Sequence, residues 1–207
     1  MTKLLTIHQF WLSESGVPPA VLDLSKENQK KANIAGFDYK LWTLKSLYLE
    51  ISQQDKRRIK AFKNNPAKCD FARFLILEKY DGIYIDMDEW VHWDESHKNG
   101  YFISRLQGGK GFIVNGIMRI PRELCSCVLK KARDFIDNRR LGDARSVGIV
   151  PLRHCLNQIN FEWRVIALPG PELDPPGKVW KQKPNSTAWK DHINLWEPVK
   201  TMTNELS

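Results

Sequence analysis

A chain of 207 residues, 42% hydrophobic and 27% charged, has the usage of one globular domain and can bury a core without disulfides or a structural metal. That composition excludes collagen, coiled coil and wholesale disorder, and no apolar run reaches the roughly 20 residues needed to cross a bilayer. The excess of 32 Lys and Arg over 24 Asp and Glu, +8 in all, favours anionic partners: nucleic acid, acidic lipid or phosphorylated small molecules.

Residues 4 to 11 read as a buried opening strand, closed by Ser-Glu-Ser-Gly and Pro18-Pro19. Residues 20 to 33 have helical spacing, Gly36 breaks it, and residues 37 to 42 alternate as a second strand, completing a β-α-β unit. Residues 43 to 63 form one or two amphipathic helices whose basic face, Lys56, Arg57, Arg58 and Lys60, is read as mostly solvated. Asn65-Pro66 supplies a cap and a first-turn proline for a helix through Tyr80, which Gly82 ends. Residues 83 to 88 follow as a third strand, then strands at 101 to 105 and 112 to 118, and a helix opened by Pro121 and running toward Arg139. The alternation predicts an α/β sandwich with a mainly parallel sheet and ligands beyond the carboxyl ends of its strands. From Leu168 onward, six of the eleven prolines and three of the eight tryptophans make an irregular, wrapping tail.

Four cysteines, Cys69, Cys125, Cys127 and Cys155, contain no CxxC pair and fit free thiols in a reducing compartment better than a disulfide framework or a zinc site. With no signal-like or spanning segment, the expectation is a cytoplasmic protein.

The most informative stretch runs from Asp70 to Asp88. On a strand, Tyr84, Asp86 and Asp88 point one way and Ile83, Ile85 and Met87 the other, so two carboxylates converge at the strand's end. Like charges this close raise one another's pKa unless a cation sits between them, and hard oxygen ligands suit Mg²⁺ or Mn²⁺. A bare DxD is also what a turn after a strand looks like. The helix before it carries Asp70 and Arg73, i and i+3 neighbours embedded among Phe71, Ala72, Phe74, Leu75, Ile76 and Leu77. A buried helix keeps few charges without a use for them.

These residues resemble the DXD-containing sugar transferases of the GT-A fold, a group that includes yeast mannosyltransferases and the large clostridial glucosylating toxins. The group's Ser-Asp-x-x-Arg, then Leu, then Gly-Gly-x-Tyr-x-Asp-x-Asp is matched by Cys69-Asp70-x-x-Arg73, Leu77 and Asp81-Gly82-Ile83-Tyr84-Ile85-Asp86-Met87-Asp88. Cys69 and Asp81 are the two departures. Ile7-His8-Gln9-Phe10-Trp11 is similar to the group's opening Ile-His-Gln-x-Trp, and Tyr39-Lys40-Leu41-Trp42 to the end of its second strand. Trp11 and Trp42 are equally what core packing uses.

The resemblance implies a GT-A, Rossmann-like α/β/α sandwich with a mainly parallel central sheet. Residues 1–167 would be the nucleotide-sugar-binding core and 168–207 a proline- and tryptophan-rich tail of the same domain that closes the site. It implies a metal-dependent glycosyltransferase moving a hexose from a UDP-sugar, UDP-glucose first, to a hydroxyl of a glycan or glycoprotein, with retention. Trp11 would stack on the donor base, Tyr84 would pack on base or ribose, and Asp70 with Arg73 would contact the donor sugar. Asp88 would bind Mn²⁺ (or Mg²⁺), and Asp86 would contact metal, ribose or sugar. The tail's Trp189-Lys190-Asp191-His192 resembles site-closing elements, with His192 as metal ligand or phosphate donor and Lys190 as phosphate contact. Asn115, before Gly116, is a candidate on the sugar or acceptor side. The partners implied are a nucleotide sugar and an acceptor, with neither nucleic acid nor a membrane span.

If the reaction inverts instead, Asp94 or Glu95 are the base candidates. Trp90, Trp93, Trp180 and Trp189 offer faces to a glycan or hold the tail to the core. Two readings compete. Lys56-Arg57-Arg58, Lys130-Lys131 and Arg139-Arg140 suit a basic nucleic-acid-binding module, which leaves the acidic strand unexplained. A catalytically inactive sugar-binding relative differs from the enzyme only in turnover.

Overall fold

The computed structural model describes residues 4–13, 16–87, 89–91, 93, 95–106, 113–138, 147–159, 163–168, 179–182, 196–199 and 204–205. Strand β1 (Thr6–Trp11) leads to helix α1 (Pro19–Ile34) and β2 (Asp38–Thr43). Three helices follow, α2 (Leu44–Glu50), α3 (Gln53–Ala61) and α4 (Asn65–Tyr80), then β3 (Ile83–Ile85) and β4 (Glu89–Val91). A 3-10 turn (Glu95–Lys98) precedes β5 (Tyr101–Leu106) and β6 (Ile113–Arg119), followed by α5 (Arg122–Asp137) and α6 (Ile149–Leu156). The chain closes with β7 (Trp163–Leu168), β8 (Val179–Gln182), β9 (Trp196–Val199) and β10 (Asn204–Glu205).

The central sheet has seven strands in the order β10-β7-β5-β6-β3-β1-β2. Strands β1, β2, β3, β5 and β7 share one direction, and β6 and β10 oppose it. The mainly parallel α/β sandwich is therefore what forms. Period-two alternation sorts the layers. Ile83 and Ile85 join Ile7, Phe37 and Ile117 on the α1 face, and Tyr84 joins Phe10, Trp42 and Met118 on the face covered by α2 to α6. Among the described residues no helix is long and apolar enough to cross a membrane.

Helix α4 starts one residue earlier than its sequence suggests. Asn64, not Asn65, is the cap: its Oδ1 accepts from the Ala67 N–H at 2.8 Å, which leaves Pro66 in the first turn. The helix ends at Asp81, whose φ of 59° takes the left-handed turn that glycine fills in the related motif. Its Oδ1 accepts from the Gly82 N–H at 2.7 Å, a local bond that offsets part of the strain. Gly82 itself lies against the Thr6 carbonyl, where a Cβ would collide.

Three expectations are corrected. Arg58 is 8% exposed rather than solvated, because Nη1 donates to Asp55 at 2.8 Å and Nε to Asp137 at 2.9 Å, and Arg133 reaches the same Asp55. This partly buried network pins α3 to α5 and takes Arg58 out of the basic surface. Cys127 and Cys155 are disulfide-bonded with Cα atoms 6.0 Å apart, joining α5 to α6, while Cys69 and Cys125 are free. Two residues apart on α5, Cys125 is buried in the core and Cys127 faces α6, where Cys155 lies. The tail is not wholly irregular either. β8 and β9 form a three-stranded sheet with β4, and β10 caps the edge of the main sheet on β7. Pro198 is compatible with this because β9 is an edge strand.

Candidate active site

Parallel strands β1, β2 and β3 bring their carboxyl ends to one edge, and that edge carries Trp11, Asp86 and Met87. Across it lies the middle of α4. The helix is buried along residues 71 to 77, so its Arg73 is held in a largely apolar layer with its side chain 5% exposed. Such a cation needs its donors filled.

They are filled by the acidic residues. Arg73 Nη2 lies 3.0 Å from Asp70 Oδ1, one helical turn back, and 3.0 Å from Asp86 Oδ1. Nη1 is 3.4 Å from Asp86 Oδ2 and donates to the Asn115 carbonyl, and Nε reaches the Cys69 carbonyl at 3.5 Å. The guanidinium carbon sits 4.9 Å from the centre of the Tyr84 ring. Asn115 Nδ2 donates to Asp70 Oδ1 at 3.0 Å, so the helix, the chain leaving β3 at Asp86 and the antiparallel strand β6 meet at one cluster.

Burial works against the Arg73 cation, yet Asp86, Tyr84 and Asp70 outweigh it and hold its pKa above the ordinary value. Burial raises the Asp70 pKa, with Arg73 and the Asn115 bond pulling the other way. The Tyr84 phenol is driven well up by burial, and the Cys69 thiol is pushed up to about 12 for the same reason. A carboxylate left 28% exposed in its side chain, Asp86, is the open edge of the cluster; Asp70 is 15% exposed.

Sequence reasoning missed one neighbour. Gly148, just before α6, faces the Asp70 carboxyl so closely that a Cβ there would overlap Oδ2, lie 2.7 Å from the carboxyl carbon and 3.0 Å from Asn115 Nδ2. Its only sequence signal is a glycine between Val147 and Ile149, which alone says nothing about a site.

Asp70, Arg73, Asp86 and Asn115 thus come together in one cluster. Tyr84 belongs to the cluster from beneath, 1% exposed under the guanidinium rather than open to a base. Trp11 is half-buried on the α1 side, beside Val21, Leu24 and Met87. Trp93, a candidate glycan face, is 5% exposed and packs on Phe37 and His97, so it is core. Asp88, Asp94, Trp189, Lys190 and His192 lie outside the described residues, and of Glu95 only the backbone, in the 3-10 turn, is described. Among the described residues no three His, Cys, Asp or Glu side chains group as a metal cage. What fits a hard divalent cation is the open carboxylate edge of Asp86, 28% exposed and two residues before a second aspartate in sequence, whereas Asp70 is 15% exposed and held by Arg73 and Asn115.

Residues 14–99 match the family model described as the glycosyltransferase sugar-binding region containing the DXD motif. Among solved structures, the PaToxG glycosyltransferase superposes with a TM-score of 0.52 at 15% identity over 75% of this chain and 70% of that one. A glycosyltransferase involved in glycosylation of the major capsid of PBCV-1 aligns at 12% identity and TM-score 0.47 over 78% of this chain and 81% of its own. The Streptococcus pneumoniae glycosyltransferase GlyE aligns at 11% and 0.43 over 79% of this chain and 45% of its own. No curated protein matches in sequence. Residues 14–99 thus carry the glycosyltransferase sugar-binding region with its DXD motif, and the fold is the one seen in the PaToxG glycosyltransferase.

Proposed function

We propose that the chain transfers a hexose from a UDP-sugar, UDP-glucose in the first instance, to a hydroxyl of a glycan or glycoprotein, with retention of configuration. The supporting observation is the Arg73 guanidinium shared between Asp70 and Asp86 at the carboxyl edge of the sheet, 3.0 Å from each. Asp70 accepts from donor-sugar hydroxyls, and Arg73 orients both carboxylates while its charge favours the negative charge that develops on the leaving diphosphate. Trp11 offers an aromatic face to the uracil at the end of β1, and Tyr84 supports the cluster from below. Asn115 orients Asp70.

Mn²⁺ or Mg²⁺ held by Asp88 and Asp86, with His192, would supply Lewis-acid stabilisation of the diphosphate. Lys190 adds a phosphate contact from the tail. The test is titration calorimetry of UDP and several UDP- and GDP-sugars, with and without Mn²⁺, on the wild type and Asp88→Ala. Metal-dependent binding of one donor, lost in the variant, supports the reading. No nucleotide binding at millimolar concentration by the folded wild type sinks it.

A further inference from the structure

Gln9 lies in β1 with its side chain wholly buried in the layer between the sheet and α1. A primary amide placed there is costly unless its bonds are made. Its Nε2 donates to the Asp86 carbonyl at 3.1 Å, and its Oε1 accepts from Asn28 Nδ2 at 2.9 Å and from the Tyr39 hydroxyl at 2.7 Å. The Asp86 carbonyl requires a donor and the phenol an acceptor, so the amide has one workable orientation.

The position of that bond matters. The β1–β3 ladder pairs Ile7 with Ile83 and His8 with Tyr84, and β3 ends at Ile85. One residue later the Asp86 N–H is still held, by the Gly116 carbonyl of β6 at 2.7 Å. On the β1 side the Gln9 side chain takes the Asp86 carbonyl where no ladder pair continues. The chain is therefore released from the sheet at Asp86 with both backbone groups satisfied, which lets its carboxylate turn to Arg73.

We infer that Gln9 is a positioning residue for the metal-motif strand: its amide, locked by Asn28 and Tyr39, fixes the Asp86 backbone and so the direction in which that carboxylate faces. The inference rests on the proposed reading that Asp86 serves donor or metal. α1 and β2, remote in sequence from the motif, then tune the site through one side chain.

The test titrates UDP with Mn²⁺ by calorimetry on the wild type, Gln9→Met, Tyr39→Phe and Val128→Ala, each with its Tm measured. Gln9→Met keeps the length and removes every bond, and is expected to weaken UDP binding about tenfold, the lower end for partners that orient ligands. Tyr39→Phe removes one of the two bonds to Oε1 and is expected to weaken binding about twofold to threefold. Val128→Ala, a core change in α5, lowers Tm and leaves the Kd unchanged, which separates positioning from stability. Wild-type Kd in Gln9→Met overturns the inference alone, and if that variant does not fold, wild-type Kd in Tyr39→Phe overturns it. Absence of UDP binding by the wild type overturns both the inference and the donor-site reading.

Discussion

The Arg73 guanidinium and the Asp86 carboxylate meet as a two-armed pair, at 3.0 and 3.4 Å, across thirteen residues of sequence. A planar fork matches two carboxylate oxygens at once while still reaching Asp70, and an ammonium does not. Arg73→Lys is therefore expected to lower kcat/KM by about a hundredfold or more while the protein still folds. Arg73→Ala leaves two carboxylates without their cation in a buried setting and should cost about 3–5 kcal/mol in urea unfolding. Near-wild-type turnover in the lysine variant would remove Arg73 from the site.

Gly148→Ala tests the close approach to Asp70. The added methyl group overlaps Asp70 Oδ2 while Arg73 and Asn115 hold the other oxygen, Oδ1, so the carboxyl must turn and those bonds are strained or lost. The expected result is at least about a tenfold loss of kcat/KM, near 1.4 kcal/mol, with a smaller fall in Tm than a core truncation gives. Unchanged kinetics would show that Asp70 does not act from the rotamer described.

Much of this site was legible because its parts are encoded by short spacings. The i, i+3 pair on α4 and the alternation of Tyr84, Ile85 and Asp86 follow from helix and strand periods alone. What was not legible depends on long-range contacts. Gly148 matters through its distance to Asp70, Gln9 through one carbonyl 77 residues away, and Arg58 through Asp137, 79 residues away. Strands β8 and β9 escaped notice because prolines and tryptophans in that segment obscure the alternation, and the partner strand β4 has only three residues.

Stability should respond to pH in two opposite ways. Burial pushes the Asp55 pKa up, but hydrogen bonds from Arg133 and Arg58 outweigh it, so the net shift is downward. Its contribution is complete above the ordinary aspartate range and is lost as pH falls through the depressed value, so Asp55→Asn should flatten the acid limb of urea-unfolding free energy against pH. Asp70 is shifted upward, so its contribution is complete below the ordinary range and declines as pH rises through the raised value. Asp70→Asn should accordingly match or exceed wild-type Tm at neutral pH while activity is lost.

The cysteines give a chemical check. With the Cys69 thiol pushed up to about 12 and Cys125 buried and raised as well, the native protein should show no fast-reacting thiol at pH 8. Denaturant alone should expose two thiols, and denaturant with reductant four. Breaking the 28-residue loop with Cys155→Ser should cost about 3–4 kcal/mol by the loop-entropy relation. Four thiols without reductant would contradict the bridge.

Strand β4 begins three residues past Asp86, and its register sets Trp90 opposite Trp180, ninety positions later. During synthesis at roughly 5–20 residues per second, the motif itself emerges early and its neighbouring strand then waits several seconds for the partner that completes the small sheet. In a nascent chain arrested before β8, β4 lacks its sheet partner. Completion of the small sheet beside the Asp86 edge thus waits on strands some ninety and more positions downstream of β4, first β8 and then β9.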